Sequence, residues 1–125
     1  MISARRSQRG QATVELALVL PVVVVLLLLV LQAGLAVRDR LVVLHGVRVA
    51  ARAVIVDPTE SAARGALRRS GVGAGGTVTV SGELRTGGLA EVTVAMRPTT
   101  VPIVGRVLGG RPVSERLVVQ VEGDR

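Results

Sequence analysis

The sequence predicts an α+β chain: a long N-terminal transmembrane helix extended into an amphipathic helix, then a second short helix and a small antiparallel three-stranded sheet. Three observations predict it. From Leu16 to Val37 only Gln32 is strongly polar, and roughly 22 residues at about 1.5 Å each give a helix of about 33 Å, matching the hydrocarbon thickness of a bilayer. Beyond Val37, apolar residues recur at helical spacing between arginines, the pattern of a helix with one buried face. The C-terminal part alternates β-branched and small polar residues in short runs bounded by Gly and Pro, the pattern of half-buried strands. The chain therefore divides into a basic leader (1–10), a transmembrane helix (11–37), a helix extension (38–56) and a small extracytoplasmic α+β domain (57–125).

Met1 to Gly10 reads as a polar, unstructured leader. Its Arg5, Arg6 and Arg9, with the free amine, outweigh Arg38 and Arg40, which Asp39 partly offsets. That bias favours a single-pass protein of the cytoplasmic membrane, with a cytoplasmic N-terminus and the rest of the chain translocated. Ser7-Gln8 follow Arg5-Arg6 where a twin-arginine signal needs an apolar pair. Small residues Gly34 and Ala36 sit where a secretory signal peptide would be cut, but the apolar run exceeds the roughly 7 to 15 residues of such a signal.

Glu15 stands at the entrance of the apolar run. A carboxylate at the centre of a spanning helix costs about 2.5 to 3.5 kcal/mol, less near the interface. Either Glu15 sits at headgroup level and reaches water, or a counter-charge meets it inside the membrane. Pro21 removes the helical bond to the Ala17 carbonyl and should kink or loosen that turn, a defect that neighbouring helices can repair. It is a tolerated proline or a hinge.

In the extension, Leu41, Leu44, Val47 or Arg48, Ala51 and Val54 form the expected apolar stripe, weakened locally by Gly46. The arginine row opposite is a solvated face or a contact with lipid phosphates or a partner. Asp57-Pro58-Thr59-Glu60 reads as a helix start, with Asp57 as N-cap, Pro58 at the first helical position and Glu60 completing a capping box. The second helix should run from Pro58 to Arg69, end at Ser70-Gly71, and lay Ala62, Ala63, Ala66 and Leu67 over one side of a sheet. Gly71 to Gly76 spells G-x-G-x-x-G, but after a helix and before a strand, so no helix N-terminus faces a phosphate and the segment reads as a linker. Strands follow at 77–81, 91–96 and 114–122, the first two joined at Gly87-Gly88. Leu117, Val119 and Val121 should share one face of the last strand. Residues 97–112 form a proline-rich loop whose apolar residues either tuck under the sheet or offer a contact surface.

Composition excludes several functions. The chain has no cysteine, so disulfide, redox and thiolate-metal chemistry are absent. All sixteen basic residues are Arg, and the net charge is +7. Without Phe, Tyr or Trp the chain lacks the aromatic platforms on which bases usually stack, which argues against nucleic acid as a partner. Without Lys, neither a P-loop nor a Schiff base is possible. The single histidine, His45, has no cysteine or carboxylate cluster beside it, and the nine carboxylates are scattered singly. No catalytic, cofactor or metal site is expected, and the protein should not be an enzyme.

Gly10 followed by Glu15 resembles the processing site of type IV prepilins. The string Gly10-Gln11-Ala12-Thr13-Val14-Glu15-Leu16-Ala17-Leu18-Val19-Leu20-Pro21, with Arg48-Val49-Ala50-Ala51-Arg52-Ala53 farther on, resembles the TadE-like family of the tight-adherence (Tad/Flp) pilus assembly system. The resemblance implies a pilin-like fold and a minor pseudopilin or assembly factor. A prepilin peptidase would cut between Gly10 and Gln11, leaving Glu15 as the fifth mature residue to pair with the N-terminal ammonium of a neighbouring subunit. The implied partners are membrane lipid, other pilin or pseudopilin subunits in a hetero-oligomer, and the Tad machinery. The alternative is an exported or membrane-anchored binding module, whose apolar segment serves only as signal or anchor.

Overall fold

In the structure, a computed structural model, residues 3–72, 75–108 and 110–122 are described. Helix α1 (Ser3–Val56) is one continuous element of 54 residues, about 80 Å long at 1.5 Å per residue. It is followed by α2 (Glu60–Arg69), β1 (Thr77–Gly82), β2 (Leu89–Met96), the short α3 (Val104–Leu108) and β3 (Val113–Gln120). The strands form one antiparallel sheet in the order β1-β2-β3. The α+β class, the long apolar helix, the short second helix and the three-stranded sheet are as the sequence predicts.

The segment before Gly10 departs from the unstructured reading. From Ser3 onward it is helical and continuous with the span, because Ala, Arg and Gln are good helix formers and nothing before Pro21 interrupts them. Met1 and Ile2 lie outside the described residues.

Burial divides α1 in two. Residues 10–27 are all exposed, whereas from Asp39 to Val54 one face is buried. That face is Asp39, Val43, Gly46, Val47, Ala50, Ala51 and Val54, rotated from the expected stripe so that Leu41 points outward at 61% exposure. The reason is side-chain size. Ala50 and Ala51 let other elements approach closely, and at Gly46 an added Cβ would stand 2.7 Å from Val72 Cγ2 and 2.9 Å from Leu67 Cδ1. The glycine that weakens the helix in sequence is the place where α2 and its C-terminal turn are admitted.

Against this face lie Val78 of β1, Ala90, Val92 and Val94 of β2, and Val121 just past β3, with Val80, Met96, Val113 and Val119 packed around them. The register explains the alternation: Val78 pairs with Val94, Val80 with Val92, Ala90 with Val119 and Val92 with Leu117. Adjacent strands thus present their β-branched residues on the helix side. Leu117, Val119 and Val121 share that side as expected, although β3 ends at Gln120 and β2 starts two residues earlier than its sequence pattern implied. Gly82, at φ +102, turns the chain out of β1, where a Cβ would strike the Leu89 carbonyl. The end of β3 is pinned to α1 by the Glu122 amide, which donates to the Ile55 carbonyl at 3.2 Å, satisfying one of the orphan carbonyls of the helix end.

The α1–α2 turn differs from the expected cap. Asp57 closes α1, its amide donating to the Ala53 carbonyl, and its own carbonyl accepts from the Thr59 amide in a three-residue turn around Pro58. Thr59 is the N-cap, extended at φ −121 and accepting from the Ala62 amide. Threonine does the capping because Pro58 stands at the centre of that turn and not at the first helical position, so cap and helix start both fall two residues later. Glu60 instead pairs with Arg64 one turn on. Helix α2 ends as expected, at Ser70 and a left-handed Gly71 (φ +79). Ala63, Ala66 and Leu67 are buried mainly against α1, with β1 beneath, so α1 rather than α2 is the principal cover of the sheet. Of the glycine-rich linker, residues 73 and 74 lie outside the described residues; its flanks do separate a helix from a strand.

Gly46→Leu should lower stability by about 2 kcal/mol or more, since overpacking against stiff Val72 outweighs the roughly 1 kcal/mol gained in helix propensity. Gly34→Ala, with nothing within 4 Å of the added Cβ, should be neutral or slightly stabilising. Denaturant titration of the detergent-solubilised protein checks both; equal effects would contradict this packing.

Candidate assembly site

Gly10, Gln11, Glu15 and Pro21 all lie on the bare half of α1. Gly10 is exposed within the helix, and a Cβ added there would meet nothing within 4 Å. One turn on, Gln11 Nε2 donates to Glu15 Oε1 at 3.2 Å, the i to i+4 spacing that brings side chains together on a helix. Gln11 and Glu15 are thus neighbours on one exposed face. Pro21 is accommodated without ending the helix, and the residues on either side of it are exposed. Val14, Leu16, Leu18, Val19, Leu20, Val22 to Leu27 and Leu29 to Leu31 are all exposed large apolar side chains. No soluble surface carries so long an unbroken apolar sleeve, so this half requires lipid or other helices around it. By length and composition α1 can cross a membrane, and none of its most apolar window is buried within the chain.

Where the bare sleeve ends, a contact appears that the sequence reading did not foresee. The chain between β2 and β3 descends along α1 and is fastened to it by two polar side chains. Asp39, 1% exposed, accepts from the Thr99 amide at 2.5 Å and from Thr99 Oγ1 at 3.0 Å, with Arg38 Nη1 3.8 Å away. Two turns earlier, Gln32 Oε1 accepts from the Val101 amide at 2.8 Å while its Nε2 donates to the Thr99 carbonyl at 3.4 Å. The loop 97–112 therefore does not tuck under the sheet but lies along α1, with Ile103 and Val107 left as exposed surface. It is a strap, with Val104 buried. Arg40 Nε meets Glu115 Oε1 at 3.2 Å and ties the adjoining start of β3 to the same stretch of helix. The signal was present in sequence: Gln32 and Asp39 are seven residues apart, two turns on one helix face, in line with Val43, Gly46 and Ala50.

His45 is exposed, and among the described residues no group of three or more His, Cys, Asp or Glu is placed to hold a metal ion. One hollow among the described residues is lined by Arg64, Leu67, Val72 and Val78.

The comparison with known families falls on α1 and runs through both of its halves. The family model described as TadE-like protein matches residues 10–52. Over that stretch the chain is similar to the TadE-like family. The match begins at Gly10 and ends within the buried face of α1, so the TadE-like segment holds the Gln11–Glu15 pair, Pro21, and both Gln32 and Asp39 of the strap. It implies a function connected with the Tad pilus in general, and an N-terminal membrane anchor fits such a component. No curated protein and no solved structure matches the chain.

Asp39→Ala should leave the Thr99 amide without its acceptor, a loss of about 1 to 3 kcal/mol in local stability. Limited trypsinolysis reads it out at one bond, Arg106-Val107, because Arg97 and Arg111 both precede proline. That bond should be cut markedly faster in Asp39→Ala than in the parent; an unchanged rate would show that the fastening contributes nothing.

Proposed function

We propose that the protein is a minor pseudopilin or assembly factor of a Tad/Flp-type pilus, acting by helix packing in the membrane rather than by catalytic turnover. The observation that carries this reading is the bare first half of α1, apolar on every side and bearing a single carboxylate one turn from Gln11. In this reading the chain inserts with its N-terminus in the cytoplasm and its α+β domain outside. A membrane prepilin peptidase then removes the basic leader between Gly10 and Gln11. The helix must open locally for that bond to enter a protease, and glycine is the residue least favourable to helix there. Cleavage frees an ammonium at Gln11, and Glu15 pairs with the ammonium of a neighbouring pilin or pseudopilin subunit. Two charges in a low-dielectric assembly are tolerable as a pair, where either alone is strongly unfavourable.

Of the rival reading, an exported or membrane-anchored binding module, the form released near Val37 fits the structure less well. A cut there would remove Gln32 and with it the bonds to Thr99 and Val101 that hold the strap.

Intact-mass spectrometry of the membrane form should give a chain starting at Gln11; a mass that retains the leader would contradict the processing step. Glu15→Gln should insert normally but fail to support piliation in cells, and full piliation by that variant would remove the pairing claim.

A further inference from the structure

We propose that the strap between β2 and β3 is a second membrane contact. Its turn and short helix, Pro102 to Val107, lie on the lipid surface beside the base of the span, with Ile103 and Val107 dipped into the headgroup and acyl boundary and Arg106 on lipid phosphate. This rests on the reading of α1 as a membrane span.

The height of the strap comes first. Val101 donates its amide to Gln32, and Gln32 directly follows Leu31, the last residue of the exposed apolar run. The apolar stretch from Leu16 to Val37 spans about 33 Å, so Gln32, five residues before its outer end, sits about 8 Å inside that end, and the chain beyond Val101 leaves from this boundary level. The sheet agrees: Glu115 near the start of β3 meets Arg40, whereas Glu122 beyond its end meets Ile55. The strands thus run along the helix, and the β2–β3 connection is the end of the domain nearest the span. On α1 itself Leu28, Gln32 and Leu35 are half-buried in line with Asp39, while their flanking residues stay exposed.

The chemistry of the strap comes second. Ile103 is 72% and Val107 81% exposed, one turn apart, whereas Val104 between them is buried and fixes α3 to the domain. Two large apolar side chains would be poorly placed in water but well placed against acyl chains. Arg97, Arg106 and Arg111 are exposed, and none is in an ion pair among the described residues. Apolar tips ringed by unpaired cations are the pattern of a segment lying in an anionic interface. The occupant of this surface is therefore lipid, continuous with the lipid around the span.

The absence of tryptophan gives a clean test. Single-tryptophan variants Ile103→Trp and Val107→Trp of the full chain are reconstituted into phosphatidylcholine/phosphatidylglycerol vesicles with brominated acyl chains, alongside Leu20→Trp in the span and Val118→Trp on the outer sheet face. Emission from positions 103 and 107 should fall about twofold or more, as expected for groups some 5 to 10 Å into the boundary, with position 20 quenched and position 118 not. Quenching at 20 but not at 103 or 107 would overturn the strap contact and leave the span intact. A blue-shifted but unquenched signal at 103 and 107 would mean that protein, such as a second copy, covers them, which also overturns it. No quenching at 20 would overturn the span and this proposal with it.

Discussion

The packing of one face of α1, from Asp39 to Val54, against the sheet is the interaction on which the rest of the structure depends. A three-stranded meander with a largely polar, solvent-facing outer side cannot hold together in water unless something large covers its apolar face. Val43, Val47, Ala50 and Val54 provide that cover, with Val78, Val92, Val94 and Val121 against them. The core is built almost wholly of valine and alanine, without one aromatic ring, so close approach replaces bulk. Gly46 and the alanines make that approach possible. The helix cannot be removed without dissolving the domain.

The same helix, without interruption, carries the apolar half that fits a membrane anchor. Anchor and core are one rod, so a displacement or rotation of the apolar half within a membrane assembly is passed directly to the sheet rather than absorbed in a linker. Gln32, Asp39 and Arg40 add a second coupling, fixing the β2–β3 connection to the helix where the bare sleeve ends. A TadE-like segment that spans both halves fits this construction: its first part is free for other helices, and its second part is occupied by its own domain.

The elements whose signals are local were legible in the sequence. The apolar run, the alternating strands, the glycine hairpin and the Ser70-Gly71 helix end are each set by neighbours a few residues away. Glu15 and Gly10 stood out because a carboxylate before an apolar wall is costly and a glycine at that offset resembles a processing site. What escaped depends on partners distant in the chain. Of the expected stripe Val47, Ala51 and Val54 are buried but Leu41 is not, because hydrophobicity alone favours leucine over Gly46 and Ala50 until α2 and the sheet are seen pressing on the small residues. The cap was assigned to Asp57 because Pro58 fits both a first helical turn and the centre of a tight turn. Asp39 reads as a charge offsetting Arg38 and Arg40; its seven-residue spacing from Gln32 marks a shared helix face, but Thr99, which makes it an acceptor, lies sixty residues on.

The central claim is that the bare half of α1 exists to meet other pilin helices. Photo-crosslinking in cells tests it most directly, with the reactive residue placed at Leu18 or Val22 on the sleeve and, for comparison, at Val118 on the outer sheet face. The account predicts covalent adducts with other pilus subunits from positions 18 and 22. Adducts with lipid alone at both sleeve positions would contradict it.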